Sequence, residues 1–170
     1  KKVKREIVTS PLKAGQVLST EASFLMTYLL KENILYGTGV KAKELDRPAA
    51  GKTGTTDENR DAWFVGYTPE IVTAVWMGYD DQRVLGKRET GGLAAAPIWL
   101  DYMSKAVAPL PKTDFPTPEN IDFARVDPST GGLADPKSKN GIFEAFVKGT
   151  APTKEIKKAV DSIDLYQVDR

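Results

Sequence analysis

Lys52, Thr53, Thr55 and Thr56 stand in the run K-T-G-T-T, with Gly54 as the only break. An ammonium beside several hydroxyls is a set suited to holding an anion, and two different anion-binding arrangements begin this way. In a phosphate loop, G-x-x-x-x-G-K-[ST] wraps backbone N–H groups around phosphate and leads into a helix N-terminus that faces the anion. Gly51-Lys52-Thr53 matches the end of that pattern. The position of its first glycine is held by Asp46, a carboxylate where phosphate should lie. The run that follows, Asp61-Ala62-Trp63-Phe64-Val65-Gly66-Tyr67, reads as strand rather than helix, so the phosphate loop is rejected.

The second arrangement is a substrate-binding edge strand for acyl transfer. K-T-G accompanies S-x-x-K and S-D-N in enzymes whose serine nucleophile works with a lysine. On an edge strand, a lysine ammonium and threonine hydroxyls can hold a substrate carboxylate. Gly54, with no side chain, lets substrate backbone lie against the strand. The N–H of the next residue can donate to a developing oxyanion. Three letters are a weak signal by themselves, and a solvated edge lysine is the plain alternative.

Composition narrows the chemistry. The chain has 170 residues, 41% hydrophobic and 28% charged, which suits one globular domain with a small appendage. With 24 Lys and Arg against 23 Asp and Glu, no global field draws it to nucleic acid. Cysteine and histidine are both absent, which excludes disulfides, thiolate or imidazole metal sites and a Ser-His-Asp triad. Any acid–base catalyst must be Lys, Asp, Glu or Tyr. No cofactor or metal is expected; Asp80-Asp81 are adjacent carboxylates that point different ways at a strand end. No 18-residue apolar segment or secretory leader occurs, so the chain as given is expected to be soluble. It starts at Lys1 rather than Met, as a piece of a longer polypeptide would.

Several elements must position the lysine stretch. A strand is expected at Arg5–Thr9. Ala22, Leu25, Met26, Leu29 and Leu30 follow helical spacing, with Ser19 or Thr20 as cap and Gly37-Thr38-Gly39 as stop, predicting a helix of about three turns. Asp61–Tyr67 and Ile71–Tyr79, separated by Thr68-Pro69-Glu70, predict an antiparallel hairpin. Neither run alternates cleanly, so burial on both faces beneath two helix layers is expected. Gln82–Leu93 reads as a loop. Ile98, Trp99, Tyr102, Met103, Ala106 and Val107 form one helical stripe, with Pro97 in the first turn. Trp63, Phe64, Trp76, Trp99 and Tyr102 are read as core rather than as a stacking platform. Pro109, Pro111, Pro116 and Pro118 mark a semi-rigid linker over 109–120, dividing a portion 1–108 from an extension 121–170. That extension holds strand candidates at Ile121–Val126 and Ile142–Val147 about a turn at Pro128–Gly132, then a polar end at Lys154–Arg170.

The ordered runs A-G-K-T-G-T-T, D-A-W-F-V-G-Y, V-W-M-G-Y-D-D, T-G-G-x-A-A-A-P-I-W and V-K-G-T-A-P resemble the C-terminal part of class A, bifunctional penicillin-binding proteins. The likeness covers about Val17 to Pro152 and is nearest to the 1A family of peptidoglycan synthases. The resemblance implies an α/β (α+β) fold of the β-lactamase/transpeptidase type, an antiparallel sheet covered by helices with a small, mostly β extension. It implies a periplasmic, membrane-anchored parent that cross-links peptidoglycan stem peptides through an acyl-serine and binds β-lactams, with a glycosyltransferase domain elsewhere. Lys52 would support proton transfer and attract the substrate carboxylate. Thr53 and Thr55 would bind that carboxylate, and the Thr55 N–H would form half of the oxyanion hole. Gly54 and Thr56 complete the substrate-binding run.

The departures from the family pattern are informative. The only S-x-x-K is Ser10-Pro11-Leu12-Lys13, ahead of Gly15 and with no apolar periodicity to bury its lysine as a base. The only S-x-N, Ser138-Lys139-Asn140, follows K-T-G and reads as a surface turn. The chain is therefore expected to carry one wall of an acyl-transfer site and no nucleophile, and by itself to be inactive. Faces that lack their cover favour self-association. The reading from another class is a non-catalytic module whose K-T-G edge docks a peptide by strand addition.

Overall fold

The computed structural model describes residues 16–156. The strand expected at Arg5–Thr9, the Ser10–Lys13 motif and most of the polar end lie outside the described residues. Ser19 caps the first helix, α1 (Thr20–Tyr36), its hydroxyl accepting the Ala22 N–H at 3.1 Å. No breaker interrupts the sequence before Gly37, so α1 runs 17 residues rather than about three turns. The expected apolar stripe is not its buried face, since Met26 and Leu29 are 54% and 59% exposed. The opposite side is held instead. Ile34 enters the core, the Thr27 and Tyr67 hydroxyls meet at 2.9 Å, and Phe24 and Tyr28 pack on the C-terminal hairpin.

A short 3₁₀ segment, Val40–Leu45, leads to three antiparallel strands: β1 (Ala50–Thr55), β2 (Asp61–Tyr67) and β3 (Val72–Gly78), in the order β1-β2-β3. The register sets Thr53 opposite Phe64 and Phe64 opposite Val75, while Lys52, Val65 and Ala74 form the adjacent row. The hairpin is as expected, but the burial of both faces is not. Ala62, Phe64 and Gly66 are buried, whereas Trp63, Val65 and Trp76 are exposed. One face is therefore covered and the other is open among the described residues. Of the aromatics read as core, Phe64 and Trp99 are buried and Trp63, Trp76 and Tyr102 are not.

The second helix, α2 (Ala96–Ala106), covers the inner face, with Pro97 in its first turn. A wide helical turn over Gly91–Ala95 precedes it, where a loop through Leu93 was expected. The buried stripe of α2 is narrower than its apolar sequence: Trp99, Met103 and Val107 are buried, Ile98 and Tyr102 exposed. The Trp99 indole lies edge-on to Phe64, ring centroids 5.1 Å apart, and its N–H donates to the Gly66 carbonyl at 3.1 Å. A side chain at Gly66 would meet the indole at 2.8 Å, so strand and helix touch through bare backbone there.

Strands β4 (Ile121–Val126) and β5 (Ile142–Val147) pair antiparallel in a second sheet. Phe123 closes an aromatic triangle with Phe24 and Tyr28, and the Tyr28 hydroxyl donates to the Phe143 carbonyl at 2.8 Å. Burial, and then the Glu32 carboxylate, push the Glu144 carboxyl up, while the Glu21 carboxylate of α1 accepts from the Asn120 side chain at 3.0 Å. The proline-rich segment lies along the same surface, with Phe115 edge-on to Tyr67 and Lys31 paired with Asp114. Ser138-Lys139-Asn140 forms a surface turn. No helix among the described residues is long and apolar enough to cross a membrane.

Trp99→Ala removes a fully buried indole and its hydrogen bond to the Gly66 carbonyl. A loss of about 3–5 kcal/mol is expected in urea unfolding, well above the ~1 kcal/mol expected for removing the α1 cap by Ser19→Ala.

Candidate functional site

Among the described residues β1 pairs with β2 alone, so its other side is an open edge. The Thr56 N–H donates to the Asp61 carbonyl at 3.1 Å, which sets the alternation of the strand. Lys52 and Gly54 turn their backbone groups to β2; Gly51, Thr53 and Thr55 turn theirs to the open edge. Two of those outward carbonyls already have partners. Asn33 of α1 donates to the Gly51 carbonyl at 2.8 Å, and the Lys52 ammonium bends over the edge to the Thr53 carbonyl at 2.9 Å. The Thr55 N–H points to the same open edge.

Side chains alternate along the strand. Thr53 and Thr55 share the inner face with Phe64 and Ala62, and Lys52 stands on the outer face with Val65. The two threonines line a cleft of about 650 Å³ with Thr38, Val40, Lys41, Glu44, Thr90, Gly92, Leu93 and Pro97. The Thr53 hydroxyl lies 2.6 Å from that of Thr38. The Thr55 hydroxyl accepts the Gly91 N–H at 3.1 Å, tying the turn before α2 to the strand. That approach requires a glycine: a Cβ on Gly91 would overlap the Trp63 carbonyl oxygen and stand 2.6 Å from that of Gly54. Lys41 is neutralised by Glu44 on the rim, at 2.6 Å. Lys52 has no ion pair among the described residues.

The structure thus brings Lys52, Thr53, Gly54 and Thr55 to one edge and places Thr56 apart. The Thr56 hydroxyl accepts the Asp61 N–H at 2.8 Å and lies 3.3 Å from the Asp61 carboxylate, closing the turn between β1 and β2. Sequence reading missed Thr38, Asn33 and Thr90. Their only signals are the glycines around Thr38 in Y-G-T-G-V and the T-G-G that begins at Thr90. The arrangement offers an unpaired ammonium, hydroxyls and an outward N–H along a strand edge, a set that suits an extended ligand ending in an anion.

No family model matches the chain. Among curated proteins it is 39% identical over 150 residues to penicillin-binding protein 1A of Pseudomonas aeruginosa, covering 88% of this chain and 18% of that protein. It is 46% identical over 124 residues to penicillin-binding protein 1A of Aquifex aeolicus, covering 73% and 17%. The crystal structure of penicillin-binding protein 1A from Haemophilus influenzae superposes with a TM-score of 0.76 at 32% identity, over 85% of this chain and 22% of that one. Over the residues it spans, the chain belongs to the penicillin-binding protein 1A family. It spans about a fifth of the length of the curated relatives it matches. Its mixed fold of helices and antiparallel sheet is that of the corresponding part of the solved relative.

Thr55→Val keeps the shape of the side chain and deletes the acceptor for the Gly91 N–H, which is buried. It should cost about 1–3 kcal/mol in chemical unfolding, and Thr55→Ser should recover most of that.

Proposed function

We propose that this chain is the C-terminal part of the transpeptidase domain of a peptidoglycan-cross-linking D,D-transpeptidase and supplies the substrate-binding strand of its acyl-transfer site. The observation that carries the reading is the open edge of β1, where the Lys52 ammonium has no carboxylate partner among the described residues and the Thr53 and Thr55 hydroxyls line the cleft. The terminal carboxylate of a stem peptide is held by Thr53 and Thr55 and attracted by Lys52, with Gly54 allowing its backbone to lie close. The Thr55 N–H donates to the carbonyl oxygen under attack. A serine hydroxyl from outside this chain adds to that carbonyl and D-alanine leaves as the amine with a proton. An amine of a neighbouring strand then displaces the serine from the acyl-ester. β-Lactams acylate the same serine. Thr56 helps through the turn that ends the strand rather than from inside the cleft.

The parent is a membrane-anchored, bifunctional enzyme working on the outer side of the cytoplasmic membrane, with a glycosyltransferase domain outside this chain. Within the chain, residues 1–108 form the transpeptidase portion, 109–120 the proline-rich linker and 121–170 the extension.

Fluorescent penicillin tests the assignment. The full-length polypeptide should label covalently and the 170-residue chain should not. Labelling of the chain would overturn the claim that the nucleophile lies elsewhere. A full-length protein that never labels would sink the transpeptidase reading and favour a module that only binds peptide.

Isolated from the remainder, the chain self-associates through the open sheet face. Val72 is 70% exposed and shares that face with Val65, Trp63 and Trp76, while β3 leaves an edge unpaired among the described residues. Light scattering on the eluting chain should show a mass above 18.6 kDa. Val65→Lys with Val72→Lys should shift it towards monomer, and a clean monomer before substitution would refute the association.

A further inference from the structure

Thr38 follows the end of α1 in Y-G-T-G-V, and the binding run around Lys52 leaves it without a role. Its hydroxyl lies 2.6 Å from the Thr53 hydroxyl and 3.2 Å from the side-chain oxygen of Asn33. Asn33 donates its side-chain N–H to the Gly51 carbonyl at 2.8 Å. A carbonyl can only accept, so the amide is fixed with its nitrogen toward β1 and its oxygen toward Thr38. That oxygen also can only accept, so the single Thr38 proton goes to Asn33. The short Thr38–Thr53 contact must then use the proton of Thr53. In this arrangement the Thr53 proton is spent on Thr38, a wall residue of the cleft, and the Lys52 ammonium lies 3.5 Å from the Thr53 oxygen, so Thr53 has no proton to give a carboxylate.

We propose that Asn33, Thr38 and Thr53 form a reversible hydroxyl relay that sets the anion-binding polarity of the cleft, with Thr38 as a positioning residue. The inference rests on the reading of Thr53 as a ligand of the substrate carboxylate. When a carboxylate arrives, Thr53 rotates its proton to it, and Thr38 turns its own proton from Asn33 to the Thr53 oxygen. No proton is lost or gained. The exchange replaces a neutral hydrogen bond at the long end of the range with a charge-assisted one, and the Thr38 dipole then reinforces it. The local packing holds the relay in place. A side chain at Gly37 would come within 2.6 Å of the Asn33 oxygen and one at Gly39 within 2.8 Å of its nitrogen, so G-T-G leaves room for the amide alone.

The test compares acylation of the full-length polypeptide by a penicillin bearing its free carboxylate and by the methyl ester of the same penicillin. Thr38→Val should slow acylation by the acid about tenfold, the order expected for one hydrogen bond to a charged group. It should leave the rate with the ester unchanged, and Thr38→Ser should restore the acid rate. Thr38 is exposed and valine has its shape, so the melting temperature should hold. Equal losses with acid and ester, or no loss with either, overturn the relay. Thr53→Val separates the two levels of the argument. If it slows acid and ester alike, the carboxylate reading itself fails. If it is selective for the acid while Thr38→Val is not, only the relay fails.

Discussion

The contact of Trp99 with Phe64 and with the bare backbone of Gly66 decides the arrangement of everything else. It fixes which face of β2 is inside, because the indole ring, the phenyl ring and the Gly66 carbonyl can meet on one side only. Side chains alternate along a strand, so that choice is carried across the ladder to β1 without further freedom. Thr53, opposite Phe64, must face inward toward the cleft, and Lys52, opposite Val65, must face outward. A slip of one residue would bury an ammonium and expose the hydroxyls. The core and the binding edge therefore share one register.

An open strand edge invites unwanted pairing, and two side chains beside β1 limit this. Asn33 occupies the Gly51 carbonyl and the Lys52 ammonium occupies that of Thr53. Two acceptors of the edge are thus taken, while its outward N–H groups, that of Thr55 among them, remain on offer to the end of a peptide. A ligand that carries its own carboxylate can draw the Lys52 ammonium off the Thr53 carbonyl and expose that acceptor. Recognition of the anion and opening of the edge are then one event.

Much of this was legible in the sequence, and the failures have physical causes. K-T-G, the hairpin over Asp61–Gly78 and both later strands were readable because turn residues and β-branched runs act locally. Burial was not. Trp63, Val65 and Trp76 are as apolar as any core residue, and only the packing of α2 against the other face shows them open. The α1 stripe failed for the same reason, since Leu and Met mark a face that wants cover and cannot say which neighbour arrives. Thr38 and Asn33 were invisible because their role depends on proton direction between side chains brought together by a chain reversal. Only the paired glycines hinted that something sat close.

The open sheet face and the missing nucleophile are, on the proposed reading, one deficit. Lys52 stands on the outer face in the row of Val65 and Ala74, beside Trp63 and Trp76. Any element laid over that apolar surface would bring its own side chains to the ammonium at the β1 edge. The hydroxyls of Thr53 and Thr55 lie on the inner side, and the outward Thr55 N–H lies between the two. A group placed over the outer face would thus meet a substrate whose carboxylate is held from below and whose carbonyl is held at the edge. The same layer that completes the hydrophobic core would complete the site, so acylation competence and stability should be gained together when that layer is present.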